Sequence, residues 1–313
     1  MKLPFRGIMP PVSTLINADL SLNREAMKVL IDHLVDQGVH GLFFMGTAGE
    51  FANMTIEMRK EITSFAVEAT AKRVPVWIGT GANRTEEVIQ LSQYAEKVGA
   101  DGVVIINPSY YVLGEEQLWQ HFSRAAESVK LPIMLYNFPL LTGQDLSPAF
   151  VKRLAATYSN VVAIKDTVDR TAHIREMIQE VKSVRPDFAV FAGYDELLLD
   201  TLVLDGDGAI PASANFAPEL TLGIWNAYHA GNLADLVAIQ RKLAHIPYIY
   251  GLDNPFINVV KEAIRMRGID VPTTVLPPAL PLTENKKAEL SQILQQAGLI
   301  EAPEEKKEYI PVF

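Results

Sequence analysis

The sequence predicts an α/β protein in which eight parallel strands and the helices between them form a (β/α)8 TIM barrel. Short apolar runs recur along the chain, and from the second run onward successive runs begin 33, 28, 30, 29, 27 and 20 residues apart. Such spacing is typical of repeated βα units. The alternative, a doubly wound open sheet, usually has a glycine-rich phosphate turn after its first strand. No such turn follows the run that begins at Gly7.

The eight predicted strands are the apolar runs themselves. They are GIMPPV from Gly7, GLFFMG from Gly41, VPVWIG from Val74, GVVIIN from Gly102, PIMLYN from Pro132, VVAIKD from Val161, FAVFAG from Phe188 and GAIPAS from Gly208. Helical patterns lie between them. One helix is predicted to begin at Pro148 with Ser147 as its cap, and Gly38, Gly99 and Gly231 stand where helices commonly end.

The strand rhythm stops after Gly231, and three helical stretches follow at about 232–247, 252–268 and 284–297. Pro247 and the proline-rich segment TVLPPALPL separate them, and prolines of this kind interrupt helices. We therefore expect two domains. Residues 1–231 would form the barrel catalytic domain, and residues 232–313 a C-terminal helical domain.

Composition excludes several classes of function. The chain has 313 residues, 49% of them hydrophobic, a net charge of −9 and no cysteine. An acidic chain without a basic cluster is a poor partner for nucleic acid or for an anionic membrane. The absence of cysteine excludes disulfides and thiolate chemistry. The six histidines show no metal-ligand spacing, and neither a signal segment nor a membrane span is apparent. We expect a cytoplasmic protein without a metal or organic cofactor.

Polar side chains follow the predicted strands, and in a barrel such residues gather at one mouth, where active sites lie. They include the segments GTAGE at 46–50, NPSYY at 107–111, YNFP at 136–139, KDT at 165–167 and GYDE at 193–196, together with Ile210 and Ser213.

Lys165 is the candidate nucleophile of this mouth. It ends the apolar run VVAIKD and shares a face with Val161 and Ala163 on the alternation of an extended strand. Loss of hydration lowers the pKa of such an amine, and a neutral amine can attack a ketone to form an imine. The alternative is an ordinary strand-end lysine that reaches solvent or pairs with Asp166. Similarly, the turn at Thr47 could bind a carboxylate through backbone N–H groups or be an ordinary βα turn.

The motifs GTAGE, YNFPLLTG, IKDT and GDGAI, in this order and spacing, resemble the dihydrodipicolinate synthase/N-acetylneuraminate lyase family. The resemblance runs from about Phe5 into the C-terminal domain. It implies a pyruvate-dependent class I aldolase on a (β/α)8 barrel with a C-terminal helical extension. It also implies a homotetramer built as a dimer of dimers, with a 2-keto acid substrate.

The resemblance assigns roles residue by residue. Lys165 matches the imine-forming lysine, Tyr136 the tyrosine that moves protons, and Thr47 the hydroxyl of the carboxylate-holding turn. Tyr110 matches a tyrosine that reaches a neighbouring subunit's site, and would complete the catalytic set. The expected substrate-binding set is Thr47, Ala48, Leu141, Thr167, Gly193, Asp195, Glu196, Ile210 and Ser213.

Departures from the family pattern narrow the prediction. Ala48 replaces a second hydroxyl of the turn, and Leu141 stands where dihydrodipicolinate synthases place a carboxylate-binding arginine. Asp195 and Glu196 resemble the acidic pair of sialic acid lyases, although Ala212 replaces another polyol-binding serine of those enzymes. The motifs are most similar to bacterial 2-keto-3-deoxygluconate-type aldolases, which predicts cleavage of a 2-keto-3-deoxy sugar acid to pyruvate and an aldehyde. The alternatives are N-acetylneuraminate lyase or another 2-keto acid lyase or dehydratase, and a non-catalytic pyruvate-binding barrel.

Overall fold

A computed structural model describes residues 5–301 of the chain. Within this range eight parallel strands form one sheet, in the order β1-β8-β7-β6-β5-β4-β3-β2. The strands are β1 (Gly7–Ile8), β2 (Leu42–Phe44), β3 (Val76–Gly79), β4 (Gly102–Ile106), β5 (Ile133–Asn137), β6 (Val161–Asp166), β7 (Ala189–Ala192) and β8 (Gly208–Ala209). Each lies within one of the predicted apolar runs, which confirms all eight strand predictions.

The sheet curls until its two ends meet. The chain just after β1 makes a parallel bridge from Pro11 to Phe43 of β2. Two backbone hydrogen bonds support the bridge, from Val12 N–H to Phe43 O (2.8 Å) and from Phe43 N–H to Pro10 O (3.1 Å). These contacts join the first two strands, and the predicted barrel is confirmed.

Helices cover the outside of the barrel and continue beyond it. In the described residues they are α1 (Arg24–Asp36), α2 (Ile56–Thr70), α3 (Thr85–Val98), α4 (Glu115–Ser128), α5 (Pro139–Thr142), α6 (Pro148–Thr157), α7 (Thr171–Lys182), α8 (Leu198–Val203), α9 (Pro218–His229), α10 (Leu233–Leu243), α11 (Ile257–Met266) and α12 (Glu284–Gln296). Ser147 caps α6 as predicted, because its side chain accepts a hydrogen bond from the Phe150 N–H. Gly38, Gly99 and Gly231 have positive φ at helix ends, as expected.

The barrel interior is a separate apolar cluster from the layer between strands and helices. Val162 and Ala163 face the interior, whereas Val161 packs in the outer layer. The prediction that Val161 shares a face with Lys165 was therefore wrong. The register shifts at Ile133, where β5 pairs with β6, and this irregularity interrupts the strict alternation of side chains.

The three helical stretches predicted after the barrel are confirmed as α10, α11 and α12, with an additional 3-10 turn at Ile246–Gly251. Apolar residues of these helices join the same outer cluster as the barrel helices. None of the helices in residues 5–301 is long and apolar enough to cross a membrane. The predicted domain of residues 232–313 includes residues 302–313, which lie outside the described range.

Candidate active site

A cavity of about 640 Å³ opens at the C-terminal ends of the strands. Nine of the residues predicted for the site line it: Thr47, Ala48, Tyr136, Leu141, Lys165, Thr167, Gly193, Asp195 and Ile210. They come from segments spread over more than half of the chain. The barrel brings them together because its strands all end at this face.

Lys165 lies near the end of β6 and is only 4% exposed. Its Nζ is 4.4 Å from the centroid of the Tyr136 ring and 5.4 Å from that of Phe43. Burial lowers the pKa of Lys165 to about 7, although the negative charge of Asp195 acts in the opposite direction. A substantial fraction of this amine is therefore neutral at neutral pH, as nucleophilic attack on a carbonyl requires.

Tyr136 stands beside Lys165 because the two residues are register partners on β5 and β6. Its Oη lies 3.0 Å from the Thr47 Oγ1. Burial raises the pKa of Tyr136 to about 12, against the lowering effect of the Thr47 hydrogen bond. At neutral pH this side chain is consequently a neutral phenol, which can act as a proton donor.

The turn after β2 is held in place by several contacts. The Gly49 N–H donates to Gly46 O (3.0 Å), and the Glu50 N–H donates to Thr47 O (3.1 Å). The amides of Thr47 and Ala48 have no backbone acceptor within residues 5–301, and both residues line the cavity. Two backbone donors are thus available to an anionic ligand.

A polar network, buried except for Asp145, lies beside the ends of β5 and β6. Asn137 Nδ2 donates to Asp166 Oδ1 (2.9 Å) and to Asp145 Oδ1 (2.7 Å). The His173 ring bonds the same two carboxylates, through Nδ1 to Asp166 (2.7 Å) and through Nε2 to Asp145 (3.2 Å). Burial lowers the pKa of His173, but the two carboxylates outweigh it and raise the pKa to about 10. The network joins the residues that follow Tyr136 and Lys165 in sequence.

Asp195 is buried at the cavity wall and is already hydrogen-bonded within the protein. Its Oδ1 accepts from the Ser213 N–H (3.0 Å), and its Oδ2 accepts from the Tyr250 hydroxyl (2.7 Å). Burial raises the pKa of Asp195, while these bonds oppose the rise. Ser213 itself and the neighbouring Glu196 do not line the cavity. Burial raises the pKa of Glu196 to about 7.

Thr167 and Gly193 form a close contact at the cavity wall. A Cβ on Gly193 would lie 1.9 Å from the Thr167 Oγ1, so a larger residue would displace the threonine. The Thr167 Oγ1 is buried and makes no hydrogen bond of good geometry among the described residues, although it is near enough to Tyr136 to lower the pKa of that phenol. It is therefore available to a polar group of a ligand.

Tyr110 does not join the cavity of its own chain. It is 87% exposed, and its ring packs edge-to-face against Tyr111 at 5.0 Å between centroids. Leu141 lines the cavity but remains 50% exposed. The described chain thus assembles most of the predicted site and leaves Tyr110 on the surface.

Part of the cavity was missed by the sequence predictions. Tyr250, the segment 251–254, Phe256 and Lys286 also line it, and all belong to the part of the chain that follows the barrel. Only the three-dimensional packing of the C-terminal helices places them there. The one signal in the sequence was that two charged residues, Asp253 and Lys286, stand near the starts of predicted helices.

Comparisons with known proteins agree with this geometry. The family model described as "Dihydrodipicolinate synthetase family" matches residues 4–297. The chain is 51% identical to "Putative 2-dehydro-3-deoxy-D-gluconate aldolase YagE" of Escherichia coli K12, covering 94% of this chain and 98% of the relative. It is 46% identical to "Probable 2-dehydro-3-deoxy-D-pentonate aldolase YjhH" of the same organism, covering 95% and 98%. The crystal structure of YagE in complex with pyruvate superposes with a TM-score of 0.93 over 95% of this chain and 99% of that one.

Proposed function

The chain belongs to the dihydrodipicolinate synthetase family, and on that premise we propose that it is a class I aldolase. Its substrate would be a 2-keto-3-deoxy sugar acid, such as 2-keto-3-deoxygluconate, which it cleaves to pyruvate and an aldehyde. The observation that carries the proposal is the buried Lys165 amine, whose Nζ lies 4.4 Å from the centre of the Tyr136 ring. Aldolase names of two relatives and the pyruvate complex of one of them support it.

The first step joins substrate and enzyme. The neutral Lys165 amine attacks the C2 ketone, and a proton moves from nitrogen to oxygen to give a carbinolamine. Tyr136 then donates its phenolic proton to the C2 hydroxyl, which leaves as water. The products are a protonated imine on Lys165 and a Tyr136 phenolate. The raised pKa of Tyr136, about 12, keeps the phenol protonated at neutral pH until it is needed. Proton donation becomes favourable because the new cation on Lys165 stabilises the phenolate.

The second step breaks the C3–C4 bond. The Tyr136 phenolate accepts the proton of the C4 hydroxyl, and that oxygen forms the aldehyde carbonyl. The electron pair of the C3–C4 bond moves into a C2–C3 double bond and neutralises the imine nitrogen, which leaves an enamine on Lys165. Protonation of C3 by Tyr136 and addition of water then release pyruvate and restore both side chains.

The substrate carboxylate is assigned to the turn after β2. The Thr47 and Ala48 amides offer two backbone donors, while the Thr47 hydroxyl bonds the Tyr136 hydroxyl and links the turn to the catalytic tyrosine. Donors fixed in this way need no reorganisation during the reaction. Because Ala48 lacks a hydroxyl, the backbone carries more of this interaction than in relatives with two hydroxyl groups in the turn.

The remaining predicted site residues are proposed to shape the rest of the substrate pocket, some by direct contact and others through a neighbouring residue. Thr167 has a free buried hydroxyl, Ile210 packs against the pyruvyl carbons, and Gly193 leaves space for Thr167. Asp195 would accept a hydrogen bond from a substrate hydroxyl on the cavity side. Glu196 and Ser213 lie behind the wall and would act through Asp195.

We also propose a homotetramer built as a dimer of dimers, in which Tyr110 reaches the site of a neighbouring subunit. The exposed side chains of Tyr110, Tyr111 and Val112 support an interface, because such clusters seldom stay exposed on a monomer. The C-terminal helical domain (232–313) and the cytoplasmic location remain predictions of the sequence. Light scattering that shows a fully active monomer would contradict the tetramer.

A screen of 2-keto acids for pyruvate release tests the proposed function. We expect robust release from a 2-keto-3-deoxy sugar acid, none from the Lys165→Ala variant, and unchanged release from Lys152→Ala, an exposed lysine outside the cavity. Faster release from N-acetylneuraminate would favour the sialic acid lyase alternative. Binding of pyruvate without turnover of any acid would favour the non-catalytic barrel and contradict the proposal.

A further inference from the structure

The outer part of the cavity contains an ion pair that the proposed chemistry does not use. Asp253 lies between the 3-10 turn Ile246–Gly251 and α11, and Lys286 lies on α12. Both line the same cavity as Lys165, and the Lys286 Nζ donates to Asp253 Oδ1 over 2.8 Å. We propose that this pair binds the terminal hydroxyls of an unphosphorylated sugar acid and excludes a sugar acid whose chain ends in a phosphate. This inference rests on the proposed function.

Asp253 is held rigidly, as a binding residue should be. Its Oδ1 also accepts from the Asn254 N–H (2.9 Å), and its Oδ2 accepts from Asn258 Nδ2 (2.7 Å). Asn258 in turn donates to Leu280 O (2.8 Å) and is itself buried. A carboxylate fixed from three sides does not have to be ordered when a ligand arrives, which favours binding.

Lys286 keeps the capacity to bind a ligand. Its ammonium has three donors, and the protein contact that we observe is the one to Asp253. The side chains of Lys286 and Asp253 are 36% and 22% exposed, so both reach the cavity and solvent. Together they offer donors and acceptors, which is the combination that a hydroxyl group needs.

The charge at this end of the cavity disfavours a phosphate. The Lys286 charge is already balanced by Asp253, and Asp195 adds a further carboxylate to the lining. No arginine is among the residues that line the cavity in the described part of the chain. A phosphate dianion usually requires unbalanced cationic donors, often the bidentate fork of arginine. The lining therefore matches a neutral polyol better than a phosphate ester.

Two substitutions separate these contributions. Asp253→Asn keeps the size of the side chain and one acceptor, but it leaves the Lys286 charge unbalanced. We expect it to raise kcat/KM for the 6-phosphate ester of 2-keto-3-deoxygluconate about tenfold relative to the unphosphorylated acid. Lys286→Met removes the donors, and should raise KM for the unphosphorylated acid about tenfold with little change in kcat. It should bring no gain with the ester.

Asp32→Asn is the matched control, because it removes the same charge from an exposed ion pair with Lys28, away from the cavity. Trapping of pyruvate by borohydride should proceed at the wild-type rate in all three variants, which shows that the Lys165 site is intact. The inference is overturned if Asp253→Asn changes the ester-to-acid ratio no more than Asp32→Asn does, or if the wild type prefers the ester. A wild type that is inactive on both acids would instead overturn the proposed function, and this subsite with it.

Discussion

Lys261 of α11 and Glu50 of the turn after β2 form an ion pair in which both side chains are fully buried, although they are 211 residues apart in sequence. Lys261 also donates to Thr274 O (2.6 Å), and Glu50 Oε2 accepts from the Leu276 N–H (2.7 Å). Glu50 adopts a positive φ of 62° at this point. The turn that is proposed to hold the substrate carboxylate is thus anchored by the C-terminal helices and the segment between them.

Lys261→Met should destabilise the protein strongly, because it leaves the Glu50 carboxylate buried without its partner. Removal of one member of a buried pair costs roughly 3–5 kcal/mol. The exposed pair of Lys28 and Asp32 supplies the control, since Lys28→Met should cost under about 1 kcal/mol. Urea denaturation of the two variants measures the difference. Equal stability losses would show that the buried pair does not anchor the turn.

Imine formation should depend on pH through the titration of Lys165. Only the neutral amine attacks, and burial lowers the pKa of Lys165 to about 7. The rate of reductive trapping with pyruvate should therefore rise with pH to a plateau, with a midpoint near 7. Asp195→Asn should move the midpoint to lower pH, because the Asp195 charge raises the pKa of Lys165. A midpoint near 10, as for an unperturbed lysine, would contradict the burial argument.

The contribution of His173 to stability should decrease at alkaline pH. The two carboxylates that bond His173 raise its pKa to about 10, above the ordinary value of 6.5, despite the opposing effect of burial. The folded state then holds this proton more tightly than the unfolded chain. The resulting stability is fully present below about pH 6.5 and is lost as pH rises through about 10. Denaturation of His173→Gln and wild type across this range should show a difference that shrinks with pH, and a difference that grows would be inconsistent with a charged His173.

The cavity should bind an aldehyde that carries its own carboxylate poorly. Leu141 lines the cavity where dihydrodipicolinate synthases place an arginine, and an apolar side chain cannot pair with a carboxylate. A carboxylate that loses part of its hydration in the cavity without gaining a cationic partner binds poorly. Condensation of pyruvate with aspartate semialdehyde should therefore be at least about a hundredfold slower than sugar-acid cleavage. Leu141→Arg should weaken the cleavage reaction, and comparable wild-type rates for the two reactions would refute the argument.

The barrel and most of its mouth could be predicted from the sequence because both depend on local patterns. Each strand is a short apolar run, and the candidate residues lie at the ends of those runs or just after them, as Tyr136 and Lys165 do. A residue at the end of a barrel strand has its place determined by the fold class alone. That relation explains why nine predicted residues line the cavity.

The features of the site that could not be predicted depend on contacts between distant parts of the chain. Asp253 and Lys286 reach the cavity through the packing of α11 and α12, and the hydrophobic periodicity of the sequence does not predict that packing. The network around His173 requires three carboxylate and amide groups from separate segments to meet. The outward position of Val161 arises from a register shift, which a strict period-two pattern does not reveal.

The most direct test of the account is to locate the covalent intermediate. The protein is incubated with pyruvate and borohydride, digested, and analysed by peptide mass spectrometry. We predict a reduced pyruvyl adduct on Lys165 and no adduct in Lys165→Ala. Tyr136→Phe should still form the adduct, more slowly, and its kcat should fall about 10²–10⁴-fold. An adduct on another residue, or one that persists in Lys165→Ala, would contradict the central claim.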